Sequence, residues 1–387
     1  MNIPANAKYI LEKLQNAGFE AYLVGGCVRD FLLEKEPSDF DITTNAKPDE
    51  TIAVFSANRT VPTGLKHGTV TVIYNGEPFE ITTYRTETTY TDGRHPDSVA
   101  FSENIADDLC RRDFTVNAMA MSLDGKIVDL YGGRADLEKG LIRAVGEPCV
   151  RFTEDALRIL RAFRFASKLG FEIEERTLAA AGELAGRLQL VSRERISDEL
   201  QKLLCGKAAG KTLAKMYEKC IFEHTFENPV INDNVFSFID TLPLTADVRL
   251  SALLLNDECF EEHIRSLKPS TQLLESVSGI ITAHLPTSYD KPTLRRAIYA
   301  YGYGALVKRA EIERKSTLVA ALKALIESEN CFKISDLAIS GDDIIKNTNL
   351  SGRAVGEKLA EVLFAVLDEK IPNTYDAEIT LIKVDNR

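Results

Sequence analysis

The chain has 387 residues, 44% of them hydrophobic, which is enough to bury a substantial core and, by length, to form two or three domains. Its formal net charge of -11 excludes a uniformly basic nucleic-acid coat while leaving room for a local basic groove. No stretch approaches the roughly 20 apolar residues of a membrane span, and no basic segment leads into an apolar block at the N-terminus, so a cytoplasmic location is expected.

In chain order, "IPANAKYILEKLQNAG" spaces its apolar residues at helical intervals and ends on glycine, predicting a first helix. "EAYLVGG" is an apolar strand broken by Gly25-Gly26; a short amphipathic piece follows, and "SDFDITT" predicts the next strand. A strand has a side-chain period of two, so Asp39 and Asp41 share one face and Phe40 takes the other. Such a carboxylate pair suits two Mg2+ ions roughly 3.5–4 Å apart, which can activate a hydroxyl and hold a leaving pyrophosphate. Glycines at a strand-to-helix turn let backbone N–H groups approach a phosphate, and Arg29, one turn on, adds a cation that Asp30 orients. "TVTVIYNGEPFEITTY" joins two alternating runs through Asn75-Gly76, a hairpin signal. Glu80, alternating with Thr82 and Tyr84, is either a third carboxylate of the site or a charge on an exposed strand face.

"LCRRDFTVNAMAM" sets Arg111, Arg112 and Asp113 after an acidic helical turn. Adjacent guanidiniums suit a triphosphate, with Asp113 steadying one of them; a helix-cap salt bridge is the plainer alternative. Strand signals fade after about residue 134, and helical periods recur in "EDALRILRAFRFASKLG", "ERISDELQKLLCG" and "RAVGEKLAEVLFAVLDEK".

In the first of these helices Thr153 is the expected N-cap, Glu154 and Asp155 fill the first turn, and Asp155 and Arg158 are surface neighbours. Arg161 and Arg164 continue the row at the same spacing. Cytosine and adenine present an amino donor beside a ring-nitrogen acceptor, whereas uracil and guanine present a carbonyl beside a ring N–H. An ionised Asp only accepts and an Arg only donates, so an Asp155–Arg158 pair matches C and A and opposes U and G without a template.

Charge is uneven in the helical part. Residues 222–265 hold nine Asp/Glu against two Arg, and residues 291–315 hold seven Lys/Arg with Tyr299, Tyr301 and Tyr303 among them. The second stretch is either a phosphate-neutralising, base-stacking surface or a solvated helix face over buried tyrosines. The seven cysteines are scattered without a Cys-x-x-Cys pair and are expected to be reduced and mostly buried. None of the five histidines precedes an Asp, so a His-Asp phosphohydrolase site is not indicated.

"LVGGCVRDFLL", "SDFD", "RRDFTVNA" and "EDALRILRAFRF", in this order, resemble the motifs of the class II tRNA nucleotidyltransferases, the CCA-adding enzymes, and of the similar bacterial poly(A) polymerases. The resemblance is specific over roughly residues 20–205, including "DGRHPDSVAF" and "RERISDELQKLL", and weaker through "ISGDDIIKNTNLSGRAVGEKL". It implies an α/β nucleotidyltransferase head, a small mixed sheet with helices, over 1–138, then all-helical neck (139–205), body (206–315) and tail (316–387). It places metal binding on Asp39 and Asp41, phosphate binding on Gly26, Arg29 and Arg112 with Gly25 beside them at the turn, and base selection on Glu154, Asp155 and Arg158, with Arg161 and Arg164 alongside contacting nucleotide; Glu80 is the less secure third carboxylate. It implies Mg2+ as cofactor and a tRNA 3′ end, ATP and CTP as partners, with neither a membrane nor an obligate protein partner. "TETTYTDGRHPDSVAF" resembles the loop such enzymes need for the final A. The rival readings are an enzyme adding A alone, a poly(A) polymerase, and a non-catalytic RNA-binding protein.

Overall fold

The structure is a computed structural model that describes residues 3–87, 99–329 and 331–384. The segment resembling the loop for the final A, with His95, falls mainly outside the described residues. The chain divides into two compact units: Met1–Asp240 with Glu262–Lys268, and Thr241–Glu261 with Pro269–Arg387.

The first unit opens with helix α1 (Ala5–Asn16), strand β1 (Ala21–Val24), helix α2 (Gly26–Leu32), strand β2 (Ile42–Thr44) and helix α3 (Pro48–Val54). Strands β3 (Arg59–Gly64), β4 (Thr69–Tyr74) and β5 (Glu77–Thr83) follow. Asn75 and Gly76 both take positive φ between β4 and β5, the backbone that a two-residue hairpin turn requires and that the sequence predicts. A two-stranded ribbon, β6 (Arg85–Glu87) with β7 (Val99–Phe101), leads to helix α4 (Ile105–Cys110), and strands β8 (Met119–Met121) and β9 (Ile127–Asp129) complete a seven-stranded sheet. Its order is β3-β4-β5-β2-β1-β8-β9 and only β2 and β5 run parallel, so the sheet is mixed as expected. Alternation buries Val70, Val72, Phe79 and Ile81 with Ile10, Leu11 and Leu14 of α1 in one core.

Helices α5 (Gly133–Lys139), α6 (Pro148–Glu154), α7 (Leu157–Leu169), α8 (Glu175–Glu183) and α9 (Arg193–Leu204) come next, with one short parallel pair of strands between Leu141–Ile142 and Glu172–Ile173. Helix α7 packs on α9, and Ser167 Oγ donates to the Leu203 carbonyl at 2.7 Å.

The second unit is helical among its described residues. One core gathers Leu294, Ile298, Leu306, Leu318 and Leu322; another gathers Ile339, Ile344, Val362 and Ile382. Here the basic stretch is largely neutralised within the unit. Lys291 and Arg295 pair with Glu329, Arg296 with Asp368, Lys308 with Asp247 and Arg309 with Glu313. Tyr301 meets His284 edge-on, Tyr299 meets Phe364, and Tyr303 packs against the first core. The ion pairs fit the plainer of the two sequence readings, but the tyrosines do not: Tyr299 is exposed and Tyr301 and Tyr303 are half-buried.

None of the seven cysteines forms a disulfide, but only Cys27 and Cys331 are buried, against the expectation that most would be. Cys110, Cys149, Cys205 and Cys220 sit at or beside helix ends. No helix among the described residues is long and apolar enough to cross a membrane.

Candidate active site

The carboxylates stand where β1 runs out. Strand β2 begins only at Ile42, so Asp39 and Asp41 precede the strand instead of lying within it. The Asp41 carbonyl still accepts from Val24 N–H at 3.0 Å, but β1 ends there because Gly25 turns the chain into α2, and the ladder loses its partner. The extended alternation survives: Phe40 packs toward the head core and against Phe31, while Asp39 and Asp41 are exposed. Ile42 pairs with Ile81 in the parallel register, so Asp41 and Glu80 occupy the preceding position on each chain.

Partial desolvation by the packed protein behind it, with the charges of Asp39 and Glu80, pushes the Asp41 carboxyl up to about 6 against the pull of Arg112. Among the described residues, no three His, Cys, Asp or Glu side chains gather closely enough to form a metal cage. A carboxylate pair of this kind fits a hard divalent cation that takes one or two carboxylates and completes its shell with water and substrate phosphates. A like-charge cluster at an open edge is the kind of donor set such a cation relieves.

Gly25 has φ 78° and donates its N–H to the Met119 carbonyl at 3.2 Å, so that donor serves the sheet and not a ligand. The residue is needed for space as well as for the turn: a Cβ there would come within 3.0 Å of Arg112 Nη1. Beyond Gly26, Arg29 is buried at 3% exposure. Asp30 holds it as expected, and its Nη1 donates to Asn117 Oδ1 at 2.7 Å.

Asp113 does not hold Arg111 or Arg112. The fully buried Asp108 does, taking Arg111 on Oδ1 and Arg112 Nη2 on Oδ2 at 3.1 Å. The i,i+3 and i,i+4 spacing in "DLCRR" was the available signal for this. Asp113 instead accepts from Arg161 Nε at 2.9 Å and Nη2 at 2.5 Å, and from Asn117. Burial opposes its ionisation, but the Arg161 guanidinium and Asn117 hold the Asp113 carboxyl down to about 2.

Its folded pKa therefore lies below the unfolded value of about 3.9, so the pair stabilises above about pH 4 and that stability is lost as pH falls toward 2, by roughly 2 kcal/mol. Acid titration should show Asp113→Asn lacking this component of the pH dependence below pH 4, although less stable at pH 7; an unchanged acid slope would refute the assignment.

The helix expected to run through Glu154, Asp155 and Arg158 is interrupted. Asp155 adopts φ -139° and ψ 104° between α6 and α7, and Thr153 lies inside α6 instead of capping a helix. Asp155 Oδ1 accepts from Leu157 N–H at 3.0 Å, the local side-chain bond by which Asp competes with helix continuation. The expected Asp155–Arg158 pair is consequently not formed. Arg158 Nη1 donates to Glu154 Oε2 at 2.7 Å, and Asp155 Oδ2 accepts from Arg195 Nη2 at 2.9 Å.

Asp155 and Arg158 nevertheless line one cavity of about 260 Å3, with Arg111, Arg112, Asp113, Arg161 and Arg195. Arg164 lies outside it, paired with Glu199 of α9 at 3.1 Å. Arg29, Arg161 and Arg164 surround the Phe165 ring at 5.5, 5.4 and 4.2 Å from its centroid, and Asp30, Asp113 and Glu199 neutralise one each. Sequence reasoning missed Asp108, Arg195 and Glu199. The last two lie about 40 residues from their partners and carry no local signal.

A mixed sheet with carboxylates at the end of a glycine-turned strand, beside a guanidinium-lined cavity, defines a nucleotidyltransferase that takes a triphosphate. The Poly A polymerase head domain matches residues 21–143, the "Probable RNA and SrmB-binding site of polymerase A" residues 170–234, and tRNA nucleotidyltransferase domain 2 residues 248–381. The CCA-adding enzyme of Limosilactobacillus fermentum is 38% identical over 392 residues, covering 97% of this chain and 95% of that one. That of Leuconostoc citreum is 38% identical over 402 residues, covering 98% and 96%. The crystal structure of the Bacillus stearothermophilus CCA-adding enzyme in complex with CTP superposes with a TM-score of 0.85 at 30% identity, covering 100% of this chain and 98% of that one. This chain belongs to the family of CCA-adding enzymes, tRNA nucleotidyltransferases whose chemistry is metal-dependent.

Proposed function

We propose that this protein adds C, C and A to the 3′ end of tRNA in the cytoplasm, using CTP and ATP and releasing pyrophosphate. One observation carries the site assignment: Arg112 lines the cavity that holds Asp155 and Arg158 and also acts electrostatically on Asp41, so phosphate, base and metal positions converge on one guanidinium.

In this reading Asp39 and Asp41 hold Mg2+, with Glu80 as a flanking carboxylate that acts through its charge. When bound, Mg2+ supplies activation of the tRNA 3′-hydroxyl and neutralises pyrophosphate charge. Arg112 takes the triphosphate across the Gly25-Gly26 turn. Its Nε is buried without a hydrogen-bond partner among the described residues, a donor waiting for an acceptor. Arg29, on α2 and already paired with Asp30 and Asn117, braces the turn at which the phosphates are bound.

Asp155 accepts the exocyclic amino group of C or A and Arg158 donates to the adjacent ring nitrogen, while Glu154 steers Arg158. Arg161 and Arg164 hold the floor of the neck around Phe165. The chain works as head (1–138), neck (139–205), body (206–315) and tail (316–387).

Extension of a tRNA transcript lacking CCA, with Mg2+ and each nucleotide alone or combined, tests the reading at single-nucleotide resolution. Three additions that need CTP and ATP are expected. A long A ladder would make the protein a poly(A) polymerase, A added only to a CC end would make it a partial enzyme, and no extension by folded protein would leave an RNA-binding module.

A further inference from the structure

Helix α4 ends at Cys110, and its last carbonyls face the neck, where two arginines meet them. Arg151 Nη1 donates to Cys110 O at 3.1 Å, and Arg158 Nη2 donates to Arg111 O at 2.9 Å. A helix C-terminus presents unpaired carbonyls and partial negative charge, so guanidiniums are favoured there. Glu154 ties the two together, with Oε1 accepting from Arg151 Nη2 and Oε2 from Arg158 Nη1, both at 2.7 Å. The Arg151 carbonyl also accepts from Arg158 Nη1 at 3.3 Å. All three side chains are at most 19% exposed.

The same turn of α4 carries Asp108, which holds Arg111 and Arg112. One helix end therefore fixes both a guanidinium assigned to phosphate and a guanidinium assigned to the base. We infer that Arg151 is a specificity-positioning residue: by clamping Glu154 to the end of α4, it sets the direction of the remaining Arg158 donors relative to Arg112, and so sets the choice of C and A over U and G. This rests on the proposed base-reading role of Arg158.

With Glu154 held from one side by Arg151, its other oxygen has a fixed place and Arg158 has one rotamer. Without Arg151, Glu154 turns toward solvent or fully onto Arg158, and the guanidinium plane tilts in the cavity. A tilted donor fork meets a carbonyl as readily as a ring nitrogen, because Arg donates to both.

The test is the ratio of kcat/KM for CTP to that for UTP, in single-nucleotide extension of a tRNA lacking CCA, with Arg151→Ala, Arg151→Lys and Arg158→Ala compared. Arg151→Ala should lower the ratio roughly tenfold, the size of one lost charge-assisted hydrogen bond. Arg151→Lys, which keeps the pair with Glu154 but lacks the fork to reach Cys110 O as well, should fall between.

A purely structural lesion slows both nucleotides alike and leaves the ratio unmoved; that result in Arg151→Ala, with Arg158→Ala relaxed, overturns this inference alone. An unmoved ratio in Arg158→Ala overturns the base-reading role itself. If Arg151→Ala does not fold, Arg151→Lys decides: a ratio lowered by about threefold supports the inference, and a wild-type ratio overturns it.

Discussion

Asp41→Ala is expected to lower nucleotide addition by roughly a thousandfold or more, with little loss of folded stability. Asp41 makes no side-chain hydrogen bond within the described protein, and its neighbours Asp39 and Glu80 repel it. Its carboxylate is destabilised by its surroundings despite Arg112, and in the proposed reading a bound cation relieves it, the usual conflict between stability and activity at a site. Asp41→Asn, which keeps the shape without the charge, should therefore melt at or above the wild-type temperature. Mg2+ should raise the melting temperature of the wild type and not of either variant, since a ligand stabilises only the state that binds it. A variant that keeps full activity, or one that Mg2+ still stabilises normally, would remove Asp41 from the metal site.

The legible parts of this protein were those written in local spacing. The Asn75-Gly76 turn, the Gly25 break and the Phe40 alternation each depend on residues within a few positions, and the structure has them as predicted. Errors arose where a long-range partner outbid a local one. Asp155 and Arg158 are ideal helix neighbours by number, yet Arg195, 40 positions away, takes one oxygen of Asp155, and the Leu157 amide takes the other and breaks the helix. Asp113 sits beside Arg112 in sequence but serves Arg161, 48 positions on. Composition left two readings open in the second unit, where Glu329, Asp368 and Asp247 are brought against Lys291, Arg295, Arg296 and Lys308. An ion pair is decided by tertiary packing, and a single sequence prints only the candidates.

Asp155→Asn should weaken the discrimination between CTP and UTP by about a hundredfold, because an amide both donates and accepts where a carboxylate only accepts. The substitution is nearly isosteric, and its carbonyl oxygen can still accept from Leu157 N–H or from Arg195, so the break between α6 and α7 should persist. What changes is the cost imposed on a uracil carbonyl, which meets an amide N–H instead of a second lone pair. The gain in UTP addition should exceed the loss in CTP addition, which separates a change of specificity from general damage. Incorporation of each of the four nucleotides, one at a time, measures it. If UTP and GTP remain excluded while CTP addition falls, Asp155 positions the backbone through Leu157 and the base is read elsewhere in the cavity, with Arg195, whose Nη1 is buried without a hydrogen-bond partner among the described residues, the next residue to replace.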